Sequence, residues 1–148
     1  MAQTLELTEN VEMYLKYIYL LSQKNGGPAK TGEISEHLDV APSSVTEMLD
    51  RLQGEGFLKH QKYQGATLTK KGRDNAIRIL QRHCTMEYFL VQALGVPEGR
   101  YHAEACEMEH ALSDDTAARL RKLIEQPATC PDCYDLSKLH CKYLIGKR

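Results

Sequence analysis

No run of about 18 apolar residues occurs in this 148-residue chain, which excludes a transmembrane helix. The opening MAQTLELTEN has neither the basic nor the apolar region of a signal peptide, so a cytoplasmic protein with no membrane partner is expected. The HExxH arrangement of zinc hydrolases is missing, as is any pattern suggesting a nucleophile triad. Neither an enzyme nor a small organic substrate is therefore expected. Internal repeats and low-complexity segments are also absent. Cysteine is scarce and odd in number, at five, and without secretory context the thiols read as free groups or metal ligands rather than a disulfide framework.

A net charge of only -1 excludes a protein that holds nucleic acid by bulk charge, but the charge is unevenly spread. Residues 1–50 carry three Lys/Arg and eight Asp/Glu, whereas residues 51–82 carry eight and two. Residues 83–125 return to four against eight, and the remainder holds four against two. One basic segment between two acidic ones is a local footprint for an anionic partner beside regions suited to cations. With 42% hydrophobic and 26% charged residues the composition is globular, and the length suits one domain or two small ones.

In chain order, Leu7 to Ser22 predicts an amphipathic helix, with Thr8 as N-cap and Val11, Tyr14, Leu15 and Ile18 inward. Asn25-Gly26-Gly27-Pro28 ends it. A short helix from Thr31 to Leu38, with Thr31 as cap, and a third from Ser43 to Gln53, with Pro42 at its first position, form a helix-turn-helix. Phe57–Gln61 and Gly65–Leu68 flank a polar turn at Lys62–Gln64, which is the hairpin of a wing. Ser43, Ser44, Thr46 and Glu47 are the exposed candidates for base edges. Lys59, His60 and Lys62, followed by Lys70, Lys71 and Arg73, are candidates for phosphate contacts. Thr69 caps a long helix reaching towards Gly95, with Ile77, Leu80, Cys84, Tyr88, Val91 and Leu94 as its apolar stripe. A last helix follows Ser113, and its face of Leu112, Ala117, Leu120 and Ile124 is a candidate homodimer seam.

The stretch YHAEACEMEHA carries the chemistry. His102, Cys106, Glu109 and His110 share one stripe of a helix at about 100° per residue. Two imidazoles, a thiol and a carboxylate on one stripe either bind an ion or must be hydrogen-bonded at a cost. His83 and Glu87 form another i, i+4 pair of ligand type, which by itself reads as a surface hydrogen bond. In the tail CPDCYDLSKLHC, Cys130, Cys133, His140 and Cys141 are compatible with a metal site, a redox-active pair or simple thiols.

Over residues 5–125 this order of elements resembles the metal-dependent repressors of the diphtheria toxin repressor family. The stretches that carry the likeness are TENVEMYLKYIY, PSSVTEMLDRLQGEGFLKH, LTKKGR and HAEACEMEHALSD. The resemblance implies a mainly α fold with a winged helix-turn-helix DNA-binding domain over residues 1–73. A helical metal-binding and dimerisation domain over 74–126 and a cysteine-bearing tail over 127–148 complete the expected division. It further implies that Met13, Cys106, Glu109 and His110 bind the activating divalent ion, and that His83, Glu87 and His102 form an ancillary site. The cysteine tail lies outside the resemblance, and 148 residues leave no room for the SH3-like domain of many iron-dependent members.

Thioether and thiolate shift preference away from manganese, and Lys16 stands where a second carboxylate of the manganese branch is expected. Fe(II) is therefore the expected activator, with Mn(II), Co(II), Ni(II) and Zn(II) as other activating metals. The implied function is a homodimeric repressor that binds double-stranded operator DNA when metal is plentiful. Manganese sensing, or thiol redox sensing through Cys106 or the Cys130/Cys133 pair, is the alternative.

Overall fold

The computed structural model describes residues 8–97, 99–125, 134–135 and 140–141. The chain divides into two compact units, Met1–Ile77 and Arg78–Arg148. Among the described residues the helices are α1 (Glu9–Asn25), α2 (Thr31–Leu38), α3 (Pro42–Gly54), α4 (Lys70–Gln92), α5 (Tyr101–Met108) and α6 (Asp114–Leu123). The strands are β1 (Leu58–Gln61), β2 (Gly65–Leu68), β3 (Tyr134–Asp135) and β4 (His140–Cys141). Both strand pairs, β1 with β2 and β3 with β4, are antiparallel hairpins. Among the described residues no helix is long and apolar enough to cross a membrane.

In the first unit, α1 begins where expected, because Thr8 Oγ1 accepts from the Val11 N–H at 3.3 Å. It ends at Gly26, whose φ of +64 is a left-handed cap. Val11, Tyr14, Leu15, Ile18 and Leu21 of α1 are buried, as are Ile34 of α2 and Val45, Met48, Leu49 and Leu52 of α3. Each large apolar side chain of that set contributes roughly 1.5–3 kcal/mol on burial. The tight turn between α2 and α3 uses Asp39 at φ +53, a conformation that a short polar side chain tolerates. Thr31 does not cap α2: it is the first helical residue, and Lys30 occupies the cap position. The physical reason is Glu33, whose carboxylate accepts from the Lys30 N–H at 3.1 Å and from Asn25 Nδ2 at 2.8 Å, so the helix starts one residue earlier than a Thr31 cap requires.

The hairpin pairs Leu58 with Leu68 and Gln61 with Gly65. Ala29 adds a short bridge to Ala66, with bonds of 2.9 and 2.8 Å in the two directions. Two glycines are dictated by this packing. A Cβ on Gly65, at φ +86, would lie 2.4 Å from the Ala29 carbonyl oxygen, and one on Gly72 would lie 1.9 Å from that of Phe57. Thr69 caps α4 as expected: its hydroxyl accepts from the Gly72 N–H and donates to the Gly56 carbonyl at 2.6 Å. Gly72 is thus the point where α4 crosses the root of the wing at backbone contact.

The second unit is built from the later part of α4 with α5 and α6. Cys84, Met86, Tyr88, Leu90, Tyr101 and Ala105 form its apolar cluster, with Phe89, Val91, Val96, Leu112, Leu120 and Ile124 packed against it. Burial of Cys84 matches its reading as a small hydrophobe. α4 is shorter than expected and stops at Gln92, where Gly95 at φ +63 and a Val96 N–H to Leu90 carbonyl bond turn the chain back. Leu94 consequently leaves the stripe and is 60% exposed. Ser113 caps α6 through the Thr116 N–H at 3.1 Å, and Asp114 at its first position meets Arg78 and Arg82 of α4. Ala117 is buried and Leu112, Leu120 and Ile124 are partly buried in this unit's own cluster, whereas the exposed large apolar side chains among its described residues are Leu94, Met108 and Leu123.

The glycine constraint is testable. Gly72→Ala should destabilise by about 2 kcal/mol or more, since the Phe57 carbonyl cannot yield without moving the wing. Gly32→Ala, where an added Cβ meets nothing within 4 Å, should be neutral or stabilising. Urea midpoints of the two variants at equal m would measure the contrast.

Candidate functional site

Ligand-type side chains of the second unit converge between α4 and α5. His83 and Glu87 stand one turn apart on α4, and both are completely buried. His83 Nε2 is hydrogen-bonded to Glu87 Oε1, and its Nδ1 to Glu109 Oε2 at 2.6 Å. His102 Nδ1 lies 3.0 Å from the same Glu87 oxygen, with its ring edge-on to that of His83 at 5.0 Å between centroids. Cys106 Sγ lies 3.5 Å from His102 Nε2 and 3.9 Å from His83 Nδ1. His110 Nε2 lies 3.2 Å from the other Glu109 oxygen. The i, i+4 pair expected at the surface is therefore the buried centre of a five-residue network, with His110 at its edge.

The local sequence explains the layout and corrects one expectation. α5 is only eight residues long and contains His102 and Cys106, whereas Glu109 closes it as C-cap and His110 lies in the turn beyond. Ser113, extended at φ -75 and ψ 159, must start α6 with two aspartates behind it, so the chain leaves α5 before a fourth residue can join the stripe. The division into two ligand sets, with His102 apart from Cys106, has no gap corresponding to it inside this unit, because Cys106 touches both imidazoles. Spacing did not reveal that contact, since it depends on how α4 and α5 pack. Met13 belongs to the first unit and is half-buried on α1.

Burial pushes the His83 imidazole towards the neutral form, but hydrogen bonds that it donates to the Cys106 sulfur and the Glu109 and Glu87 carboxylates outweigh it and hold its pKa well above the usual value. For His102, burial and the like charge of His83 act downward, while Cys106 and Glu87 hold it up at about 9. A cation is thus favoured at this place even when its only source is protons. One ring nitrogen each of His83 and His102 and the Cys106 sulfur lie within 4.8 Å of one another, with carboxylate oxygens on the same rings. Such a mixed nitrogen, sulfur and oxygen donor set fits a divalent transition-metal ion.

A second surface belongs to the first unit. Ser43, Ser44, Thr46 and Glu47 are all exposed along the first turns of α3, with the Thr46 hydroxyl donating back to the Pro42 carbonyl at 3.1 Å. Lys59 and Lys62 are exposed on the hairpin. Lys70 is exposed but pairs with Asp74 at 2.8 Å. Lys71 is committed differently: its ammonium donates to the Glu55 carbonyl at 2.8 Å and lies 4.3 Å over the Phe57 ring, bracing the wing root. His60 is mostly covered and lies 3.7 Å from Asp50. The expected tail site falls outside the described residues for Cys130 and Cys133, and for His140 and Cys141 only the backbone of β4 is described.

Comparison with known proteins places these features in context. Residues 6–66 match the model of the iron dependent repressor N-terminal DNA binding domain, and residues 69–135 that of the iron dependent repressor metal binding and dimerisation domain. An HTH-type transcriptional regulator of Methanocaldococcus jannaschii is 41% identical over 120 residues, covering 81% of this chain and 96% of that protein. The iron-dependent repressor IdeR of Mycobacterium bovis is 36% identical over 126 residues, covering 85% of this chain and 54% of the repressor, so the chain spans about half of that relative's length. The HTH-type transcriptional regulator MntR of Lysinibacillus sphaericus is 39% identical over 125 residues, covering 84% and 88%. Among solved structures, the manganese regulator SloR superposes with a TM-score of 0.70 at 34% identity, covering 84% of this chain and 56% of that one.

The raised imidazoles have a measurable consequence. A group whose folded-state pKa is raised stabilises fully below its unfolded value and loses that contribution as pH rises through the folded value. The thermal midpoint of the metal-free protein should therefore fall between pH about 6.5 and about 9, and His102→Gln should flatten part of that slope. A slope identical in wild type and variant, followed by circular dichroism, would show that His102 does not carry the linkage.

Proposed function

The chain belongs to the iron-dependent repressor family, and from that membership we propose that it is a homodimeric, Fe(II)-activated transcriptional repressor binding double-stranded operator DNA in the cytoplasm. The observation that carries this reading is the group of His83, His102 and Cys106, gathered within 4.8 Å with Glu87 and Glu109 on the same imidazoles. A buried cluster of this composition needs a cation, and its sulfur and nitrogen donors suit Fe(II), Co(II), Ni(II) or Zn(II) better than Mn(II). Manganese sensing is the second reading, favoured by the two buried carboxylates and by the likeness to SloR, a manganese regulator.

The ligand roles we propose are those the family likeness implies: Met13, Cys106, Glu109 and His110 for the activating ion, and His83, Glu87 and His102 for the ancillary one. Bound there, a divalent ion supplies the positive charge that neutralises Glu87 and Glu109. The residues of this chain do the rest. Glu87 and Glu109 orient the His83 ring through both of its nitrogens, which fixes where a lone pair can point once a proton leaves. Because the imidazoles hold protons, ion binding releases them, and apparent affinity rises with pH.

On the DNA side, Ser43, Ser44, Thr46 and Glu47 are assigned to base edges in a major groove. Lys59, Lys62 and Lys70 are assigned to phosphates, and Lys71, braced against the wing root, reaches a phosphate only by exchanging its carbonyl partner. The working division remains 1–73 for DNA binding, 74–126 for metal binding and dimerisation, and 127–148 for the tail. Any ion that binds the DNA-competent state more tightly is bound more tightly in turn by the DNA complex, by a coupling of about 1–3 kcal/mol.

Two experiments test this reading. In anaerobic titrations of duplex binding with Fe(II) and Mn(II), the wild type should respond to Fe(II) at the lower concentration and Cys106→Ala should lose the response; an unchanged titration would remove Cys106 from the ligand set. Lys59→Ala should weaken binding to all duplexes alike and lower the slope of log K against log salt by about one unit. A sequence-dependent loss at constant slope would move Lys59 from phosphate to base.

A further inference from the structure

We propose that Tyr63, at the tip of the β1–β2 hairpin, is a DNA contact in its own right, its ring packing into the minor groove that flanks the major groove receiving α3. This rests on the DNA-binding reading above and adds to it a residue that charge patterning does not identify. Tyr63 is 88% exposed, more than Leu94, Met108 or Leu123, the other exposed large hydrophobic residues described. Its close neighbour is a cation: Lys62 Nζ lies 5.2 Å from the ring centroid. An aromatic ring flanked by lysine and projecting into solvent suits a polyanion that also offers apolar sugar faces, as a duplex does and an acidic peptide does not.

The tip is held, which limits what ordering it costs to bind. The Gln64 N–H donates to the Gln61 carbonyl at 3.0 Å, Lys30 Nζ donates to the Gln64 carbonyl at 3.3 Å, and the Ala29 bridge clamps Ala66 next to it. Gly65 has no room for a side chain against Ala29, so the register of the tip cannot slip without breaking that clamp. At its base the hairpin is joined to α3, where Gln53 Oε1 accepts from the His60 N–H at 2.6 Å. Beyond that anchor β1 ends at Gln61 and Lys62–Gln64 make the turn, so Tyr63 stands at the end of the hairpin away from its joint with α3. A hairpin fixed to α3 in this way moves with that helix, and with α3 seated in a major groove its exposed tip has a path to the bordering phosphates and the narrower groove behind them. Lys59 and Lys62, exposed on the same hairpin, lie along that path. Side chains set between the walls of a minor groove act through shape and apolar contact more than through hydrogen-bond readout.

The test uses the full chain with Fe(II) under anaerobic conditions and duplexes selected from a random pool by the wild-type protein. Hydroxyl-radical footprinting reads the minor-groove sugars. Wild type should protect sugars flanking the central contact, and Tyr63→Ala should lose that flank, bind about tenfold more weakly and keep the wild-type salt slope, since no charge is removed. Tyr63→Gly, which suits the local backbone at φ +67, should behave as the alanine variant does, which separates loss of the ring from strain in the turn. Tyr63→Phe should retain the flank protection. A wild-type footprint and affinity in both ring-less variants would overturn the role of Tyr63 while leaving DNA binding intact. Failure of the wild type to select any duplex would overturn the DNA-binding reading and this inference with it.

Discussion

A fully buried imidazole, His83, is the constraint on which the second unit depends. Its two nitrogens are bound to Glu87 and Glu109, so three ionisable groups with no exposure to water must share charge in one place. Burial of such groups is costly, and removing one partner of a buried pair costs about 3–5 kcal/mol because the other is left uncompensated. The network therefore sets more than its own geometry. It couples the middle of α4 to the end of α5, and its two carboxylates hold the His83 and His102 imidazoles in the charged form. The group proposed to hold an ion is also a structural joint between α4 and α5.

The first unit works by the opposite logic. Its interior is aliphatic, and what is specified is backbone approach: Ala29 against Ala66 and Gly65, and Phe57 against Gly72. These contacts hold the hairpin in fixed register to α3 through Gln53 and to α4 through Thr69. A recognition helix and a wing can read one duplex together only if neither moves independently. Lys71 illustrates the economy of the arrangement, because a residue that charge patterning assigns to phosphates braces the wing root through Glu55 and Phe57.

Much of this was legible in the amino-acid order. Thr8, Pro42, Thr69 and Ser113 mark helix starts by hydrogen-bonding chemistry or by ring geometry, and the structure has helices beginning there. Inward positions of α1 and α3 follow from helical spacing. The misread places share one cause, a competing interaction from outside the local window. Glu33, tied to Asn25, shifts the start of α2; Gly95 and the Val96 to Leu90 bond end α4 before Leu94; the cap at Ser113 shortens α5 and puts Glu109 and His110 past its end. The apolar face of α6 is largely occupied by its own unit, which spacing cannot distinguish from a face left for a partner.

By itself the sequence determined which ligand types are present, their placement on two helical segments, and the order of helix, turn and hairpin, because these depend on neighbours within a few residues. The tertiary structure decided that His83 and Glu87 are buried rather than solvated, and that Cys106 meets the imidazoles of both His83 and His102. It also decided that the turn between β1 and β2 presents an exposed ring. Those outcomes turn on the packing of a hairpin against a helix and of α4 against α5, where residues more than 20 apart come within bonding distance, and no local periodicity encodes such a meeting.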